Sequence, residues 1–250
     1  VVAAALKKNW PRWRGPNENG HTDDKSLPVK WTADDIVWQT KLPGQGQSSP
    51  IVWGDRVFLT AALDKGAERL VLCVDRRDGK LLWQQSAWKG TPEPVHIMNG
   101  WASPSCVTDG EIVVAFFGRG GLHAYTVDGK HLWTRDLGKF ESPWGVSACP
   151  ILVDDLVVQN CDADVDASIA AFDKRTGRDV WRTKRRDHRG WSTPIVVRAG
   201  ERREIVVNGH EGTQAYDPAT GRELWFCKGF NGRGEPTVTP AGDVLCVVNG

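Results

Sequence analysis

The sequence predicts an all-β protein built from repeated units of four antiparallel strands, and two recurring segments carry this prediction. The first ends in tryptophan and occurs four times, always with a glycine four residues before the tryptophan. Its copies end at Trp83, Trp133, Trp181 and Trp225, at intervals of 50, 48 and 44 residues. The second segment contains a proline followed by a Gly or Asp turn, and it lies between successive copies of the first. A fixed period of this length is typical of a repeat architecture.

The tryptophan segment predicts a strand, a tight turn and a second strand. Ala215–Trp225 is the clearest copy, and Ala171–Trp181 matches it nearly position for position. Cys73–Trp83 is a looser copy, and Ala124–Trp133 is one residue shorter before its glycine. Glycine supplies the positive φ that a bulged hairpin needs. The glycines expected in these turns are Gly79, Gly129, Gly177 and Gly221.

The tryptophan after each turn is expected to stack on the neighbouring sheet. An indole in such a position buries on the order of 150–250 Å² and ties one sheet to the next. This role accounts for 13 tryptophans beside only 2 tyrosines and 7 phenylalanines. The docking residues expected on this basis are Trp38, Trp83, Trp133, Trp181 and Trp225.

The proline-containing segment supplies two more strands to each unit. Ser48–Leu59, Ala102–Val114 and Ala148–Val158 each indicate a strand, a Gly/Asp turn and a strand. Units of four antiparallel strands at this spacing are the blades of a β-propeller. Complete blades are predicted at 43–88, 97–139, 146–186 and 191–229, with a lone strand at 35–42 and a partial blade at 235–250.

The repeated pattern Ala-x-Asp-x-x-Thr-Gly-x-x-x-Trp resembles the tryptophan-docking motif of the quinoprotein-like propellers, the pyrroloquinoline quinone (PQQ) repeat family. The resemblance covers residues 31–250. That family includes PQQ-dependent alcohol dehydrogenases and the non-catalytic lipoprotein of the outer-membrane β-barrel assembly machinery, so it implies a fold and leaves the activity open. Its members usually have eight blades and sometimes seven. The chain is therefore expected to be an open arc, a fragment of such a propeller; the alternative is a closed ring of five blades, which would need one strand of the last blade to be dispensable.

Residues 1–30 are predicted to be an irregular leader, because residues 9–21 are rich in Pro, Gly and Asn. Trp10 and Trp13 are expected to lie in grooves across the propeller. Val1–Ala5 is either the tail of a signal peptide or a short apolar stretch without meaning. The leader resembles those of secreted bacterial PQQ-like repeat proteins, which implies a periplasmic or secreted location.

The connectors between blades contain the pattern most typical of a binding site. Three tryptophans occupy equivalent connector positions next to glycine, on the face that holds the cofactor in the quinoprotein enzymes. Two interpretations stay open: an aromatic rim that binds a planar ligand, a sugar or an extended peptide, and a set of rings that plug the channel. The candidate rim residues are Trp101, Trp144, Trp191, His188, Arg189, His96 and Asn99.

No catalytic residue and no metal site is predicted. The resemblance implies, for the dehydrogenases, an Asp base, a Ca²⁺ held by Glu and Asn oxygens, and a disulfide between adjacent cysteines. None of the six cysteines here is adjacent to another. Cys149 and Cys161 belong to one blade, and a disulfide between them is the less favoured alternative to two free thiols. No cofactor is expected, and PQQ with Ca²⁺ is the alternative.

The charged segments favour solvated surface. Asp162, Asp164 and Asp166 indicate either a Ca²⁺ loop or, preferably, a solvated acidic loop. The basic run 182–189 indicates a solvated strand edge or a contact with an acidic partner or lipid headgroups. A net charge of +1 gives no footprint for nucleic acid. No run of 18 apolar residues is present to span a membrane.

The function predicted from these features is a non-catalytic binding scaffold of the bacterial cell envelope, with a protein or small ligand bound at the propeller face. The alternatives are a fragment of a PQQ- and Ca²⁺-dependent alcohol or sugar dehydrogenase, and a sensor module of a larger envelope protein.

Overall fold

The computed structural model describes residues 8–140, 142–229, 232 and 234–248. The segment Val1–Ala5, interpreted above as a signal-peptide tail, lies outside the described residues, as do the last two residues of the predicted partial blade. Short 3₁₀ turns at Ala33–Asp35, Asp64–Gly66 and Gly118–Gly120 are the only helical elements in the described part of the chain.

Four antiparallel four-stranded sheets follow one another along the chain, each in the simple order first to fourth strand. The all-β propeller architecture predicted from the repeats is confirmed, and the four sheets form an arc that ends in a two-stranded hairpin. The sheets are β1 (Ile51–Trp53), β2 (Arg56–Leu63), β3 (Glu68–Asp75) and β4 (Leu81–Lys89); β5 (Val107–Thr108), β6 (Ile112–Phe116), β7 (Leu122–Thr126) and β8 (His131–Arg135); β9 (Ile151–Val153), β10 (Leu156–Cys161), β11 (Ser168–Asp173) and β12 (Asp179–Lys184); β13 (Ile195–Ala199), β14 (Arg202–Asn208), β15 (Gly212–Tyr216) and β16 (Glu223–Lys228); and the hairpin β17 (Thr239–Ala241) and β18 (Val244–Cys246).

The turn between the third and fourth strands has the same irregularity in every complete sheet. The pairing register shifts by one residue just before the turn, between Ala171 and Phe172 in the third sheet and between Ala215 and Tyr216 in the fourth. Gly177 and Gly221 in these turns have φ of 72° and 70°, a conformation that costs glycine nothing. The repeated Gly therefore encodes a bulged hairpin.

The apolar core lies between the sheets. One cluster joins Phe58 of the first sheet to Val113 and Tyr125 of the second. The next cluster joins Phe116 of the second sheet to Phe172 of the third. Because each sheet packs on its sequence neighbour, the stability of the arc depends on these interfaces.

Tryptophans of the fourth strands lie against the turn of the following sheet. The indole Nε1 of Trp83 donates to Val127 O (3.0 Å), that of Trp133 to Lys174 O (2.9 Å) and that of Trp181 to Pro218 O (2.9 Å). Trp225 instead donates to Glu204 Oε2 of its own sheet (2.6 Å).

The segment 36–42 is not part of a strand, unlike the expectation for residues 35–42. It nevertheless lies against the turn of the first sheet, in the position that the fourth strand of one sheet takes against the turn of the next. Trp38 Nε1 donates to Arg76 O (2.8 Å), and Thr40 Oγ1 donates to Gly79 O (2.5 Å). Within the described residues no third strand lies beside it, so the ladder that would define a strand is missing.

The leader crosses the first strands of the sheets. Trp10 pairs with Val52 through two backbone hydrogen bonds (3.0 and 2.7 Å), and Thr108 N donates to Pro11 O (2.9 Å). Farther along, Val196 N donates to Glu18 Oε2 (2.7 Å), and Arg14 Nη1 donates to Thr239 Oγ1 (2.8 Å). The leader thus forms hydrogen bonds with the edges of the first strands, on the inner side of the arc.

The expectation of solvated charges at 162–166 and 182–189 is wrong for two residues. Asp162 and Arg185 are both buried and form an ion pair at 2.6 Å. Arg185 also donates to Gln214 Oε1 (2.7 Å) and to Tyr216 Oη (2.8 Å), which link the third sheet to the fourth. Arg185, directly after the outer strand of the third sheet, is here covered by the fourth sheet, a contact that spacing along the chain does not reveal.

Candidate functional site

The first strands line the channel side of the arc and are joined there by a series of hydrogen bonds between sheets. The series has one Ser, Thr or Cys from each successive sheet. From the second sheet onward, each of these side chains accepts the backbone N–H of its counterpart in the sheet before. The bonds are Ser49 N to Ser105 Oγ (2.8 Å), Ser105 N to Cys149 Sγ (3.2 Å), Cys149 N to Thr193 Oγ1 (3.0 Å) and Thr193 N to Thr237 Oγ1 (3.0 Å). We call Ser49, Ser105, Cys149, Thr193 and Thr237 the girdle.

The girdle forms the wall of a cleft of about 540 Å³, which we call the channel cleft. Its rim comes from the connectors between sheets, and includes His96, Asn99, Trp144 and Trp191. Consecutive antiparallel strands bring these connectors to one face, because each fourth strand ends where the next first strand begins. The cleft therefore lies at the channel end where the connectors meet.

Trp144 is held from two sides at the rim. Its ring stacks on His96 with centroids 4.5 Å apart and planes 29° apart. The side chain of Asn99 donates to its backbone oxygen at 2.6 Å. Asn99 Oδ1 in turn accepts from Ser103 Oγ, which also lies 2.8 Å from Gln47 Oε1. These bonds fix the orientation of the polar side chains before any ligand arrives.

Trp191 and Trp13 complete the aromatic lining. Trp191 Nε1 donates to Gly145 O at 2.8 Å, so its ring is tied to the connector that also carries Trp144. Trp13 comes from the leader and reaches the same cleft. A space of about 540 Å³ lies between these residues.

Three of the predicted rim residues lie elsewhere. Trp101 lies over Gly66 and donates through Nε1 to Glu93 O (2.8 Å), beside the buried pair of Glu93 with Arg69. His188 stacks on His210 with centroids 3.6 Å apart. Arg189 pairs with Asp164 at 3.0 Å.

Sequence reasoning missed the girdle. Its members stand beside the proline that opens each first strand, as in Ser49-Pro50, Cys149-Pro150 and Thr193-Pro194. The repeat of a Ser, Thr or Cys beside this proline is the sequence pattern that could have revealed the girdle. The larger tryptophans of the connectors are the more conspicuous repeated residues.

Burial raises the pKa of two groups, Cys149 in the cleft wall and Glu18 in the leader. Burial raises the pKa of the Cys149 thiol, against the opposing effect of its bonds to Thr193 and Ser105, so it acts as a neutral hydrogen-bonding group. Burial likewise raises the pKa of Glu18 in the leader, although the charge of Arg12 and the Val196 N–H oppose the rise. All six cysteines are free thiols, including Cys149 and Cys161.

The described lining of the cleft does not fit PQQ with Ca²⁺. PQQ is a polycarboxylate, yet the described lining residues include no Lys or Arg and one carboxylate, Glu235. An uncompensated buried anion is costly. Calcium takes about 6–8 oxygen ligands, usually with several carboxylates. Among the described residues no group of three or more His, Cys, Asp and Glu side chains is placed to hold a metal, and Asp162 and Asp164 are paired with arginines.

The family model described as outer membrane protein assembly factor BamB, a PQQ-repeat model, matches residues 23–142 and 165–250. The chain belongs to this family of PQQ-like propellers. The match includes all four tryptophan segments, and it confirms the family resemblance inferred from them. Among curated proteins no sequence relative was found.

Solved structures of quinoprotein dehydrogenases have the same fold. Quinohemoprotein alcohol dehydrogenase ADHIIG from Pseudomonas putida HK5 superposes with a TM-score of 0.65 at 17% identity, over 94% of this chain and 42% of that one. A europium-containing methanol dehydrogenase gives 0.65 at 13% identity, over 92% and 50%. The quinohemoprotein alcohol dehydrogenase from Comamonas testosteroni gives 0.62 at 14% identity, over 98% and 48%.

The chain thus spans half or less of the length of these dehydrogenases. Such low identities establish a shared fold and carry no activity across. Within the described residues, no helix has the length and apolar character needed to cross a membrane.

Proposed function

We propose that this chain is the binding part of a non-catalytic propeller of the bacterial cell envelope, and that it receives its ligand in the channel cleft. The observation that carries this proposal is the convergence of Asn99, Trp144 and Trp191, from three successive connectors, on one preorganised cleft. A large concave pocket with aromatic walls and a few convergent polar groups is the usual form of a small-molecule site.

The family supports the envelope location and the scaffold role. The matching family model carries the name of an outer membrane protein assembly factor, and binding without chemistry agrees with the neutral lining of the cleft. The alternative, a PQQ- and Ca²⁺-dependent dehydrogenase, has the fold likeness in its favour. The lining of the cleft argues against it, because nothing described there compensates the carboxylates of PQQ.

The test uses saturation-transfer NMR with three probes: PQQ with Ca²⁺, a neutral hexasaccharide, and a short peptide of alternating apolar and polar residues. We expect the hexasaccharide or the peptide to bind without Ca²⁺, and binding to be lost in Trp191→Ala. Trp225→Ala is the matched control, because that indole is also half-buried but contacts Glu204 away from the cleft.

A dye-linked assay with PQQ, Ca²⁺ and ethanol or glucose completes the test. We expect no turnover. Turnover under these conditions, or the failure of both the hexasaccharide and the peptide to bind, would overturn the proposed function.

A further inference from the structure

The lining of the channel cleft is rich in hydroxyl, indole and amide side chains and poor in charged ones. Six of the described lining residues are Ser or Thr, three are Trp and two are the amides Gln47 and Asn99. The only carboxylate is that of Glu235, and no described lining residue is Lys or Arg. The chain as a whole carries 32 basic and 31 acidic residues, so this neutrality is local.

Neutral hydroxyls and amides favour a ligand that offers many uncharged hydrogen-bonding groups. A girdle hydroxyl that accepts a backbone N–H, as Thr237 does from Thr193, still carries its own O–H donor. The Ser103 hydroxyl lies between the amide oxygens of Gln47 and Asn99, and each amide nitrogen donates to a backbone oxygen, Met98 O and Trp144 O. The two amides are therefore fixed in place, and each NH₂ group retains a second N–H for a ligand. An anionic ligand would find no Lys or Arg among these residues.

The tryptophans favour a ligand that also has a flat apolar face. Indole rings bind such faces through dispersion and weak C–H contacts, at little cost in side-chain entropy. Trp191 is tethered by its Nε1 to Gly145 O, and Trp144 is braced by His96, so the rings are already oriented. A pyranose combines these two features, since it has a C–H face and a rim of hydroxyl groups.

An extended peptide fits the cleft less well. Peptides that bind β-sheet proteins commonly add a strand to an exposed edge. Along the channel, the edges of the first strands already bond to the leader: Val52 pairs with Trp10, Thr108 N donates to Pro11 O, and Val196 N donates to Glu18.

We infer that the channel cleft is a binding site for a neutral oligosaccharide, with Trp144 and Trp191 against sugar faces and the hydroxyl and amide lining against sugar hydroxyls. This inference rests on the proposed function and names the class of its ligand. It assigns no bond-making or bond-breaking step to the cleft.

The experiment measures binding of chitohexaose, cellohexaose and maltohexaose by calorimetry and tryptophan fluorescence, with hexagalacturonate as the carboxylated counterpart. We expect at least one neutral hexaose to bind with a dissociation constant below about 1 mM, and hexagalacturonate at least about tenfold more weakly. Trp191→Ala is expected to weaken the neutral ligand about tenfold, whereas Trp225→Ala leaves it unchanged.

A second variant keeps the inference testable if Trp191→Ala does not fold. Gln47 is exposed at the rim, and Gln47→Lys places a cation in the lining. We expect this variant to bind hexagalacturonate several-fold more tightly than the wild type, with no gain for the neutral hexaose.

The outcomes separate the inference from the proposed function. If the peptide probe binds at the cleft and no neutral hexaose does, the saccharide inference is overturned and the binding function stands. Equal affinity for the neutral and carboxylated hexamers would also overturn the inference. Turnover with PQQ would overturn the proposed function itself.

Discussion

Trp133 and Trp225 stand at the same place in the repeat and have different surroundings. Trp133 is 7% exposed, donates to Lys174 O of the next sheet and lies over Gly177. Trp225 is half-buried, and its indole N–H turns back to Glu204 in its own sheet. The motif is therefore one half of an interface, and the other half is the turn of the following sheet. A repeat of this kind specifies how sheets join more than how one sheet folds.

Trp38 also shows that docking of the indole depends on the turn of the following sheet. It lies in a segment without a sheet of its own, yet it bonds to Arg76 O and lies over Gly79 as Trp133 does over Gly177. A docked indole therefore requires the turn in front of it and does not require a complete sheet behind it.

The largest expected effect separates the two tryptophans directly. Trp133→Ala should lower the free energy of unfolding by about 3–5 kcal/mol, because it leaves a large void between two sheets. Trp225→Ala should cost about 2 kcal/mol, since less of its ring is buried and the main loss is the bond to the buried Glu204. Urea unfolding followed by circular dichroism measures both values.

Equal losses in the two variants would contradict the comparison, since they would place the indoles in equivalent environments. The slope of the transition should be compared as well, because sheets that unfold separately broaden it.

A smaller effect is expected from the glycine that faces Trp133. Gly177 has φ of 72°, and an added Cβ would lie 2.6 Å from Trp133 Cδ2. Gly200 has φ of 62° but no atom within 4 Å of an added Cβ. Gly200→Ala should cost about 1 kcal/mol from the backbone alone, whereas Gly177→Ala should cost about 1–3 kcal/mol more from the clash.

A double-mutant cycle sharpens this comparison. In the Trp133→Ala background the clash is removed, so the cost of Gly177→Ala should fall to that of Gly200→Ala. If the excess cost persists without the indole, Gly177 is constrained by the turn itself and the docking explanation is wrong.

The sequence predicted the fold because the repeat carries local information that is read along the chain. The Gly at a positive φ, the alternating strands and the period each constrain structure within one unit, and these agree with one another. The four sheets therefore follow from the pattern. The solvated loop expected for Asp162 was wrong, because its burial depends on Arg185 and on the packing of two sheets against each other.

The candidate site was predictable only in part for the same reason. Trp144, Trp191, His96 and Asn99 lie at one cleft because connectors of this topology meet at one face. Trp101 occupies the equivalent connector position, but it lies over Gly66 of the first sheet and donates to Glu93 O. A contact of this kind, made by one repeat and not by the others, has no periodic pattern from which to infer it.

The smallest expected effect concerns the girdle, which joins sheets at the channel as the indoles join them farther out. Thr193→Val keeps the shape of a buried side chain but removes the acceptor of the Cys149 N–H, and Cys149 is itself buried. An unpaired buried N–H costs about 1–3 kcal/mol.

Ser49→Ala is the matched control, because within the described residues Ser49 Oγ accepts no backbone N–H and the Ser49 N–H bond to Ser105 is kept. We expect this control to change the free energy of unfolding by less than about 0.5 kcal/mol. Hydrogen exchange at Cys149 N–H, faster in Thr193→Val than in Ser49→Ala, reports the lost bond directly. Unchanged protection at Cys149 would show that the girdle bonds do not hold neighbouring sheets together, and that the indoles alone do.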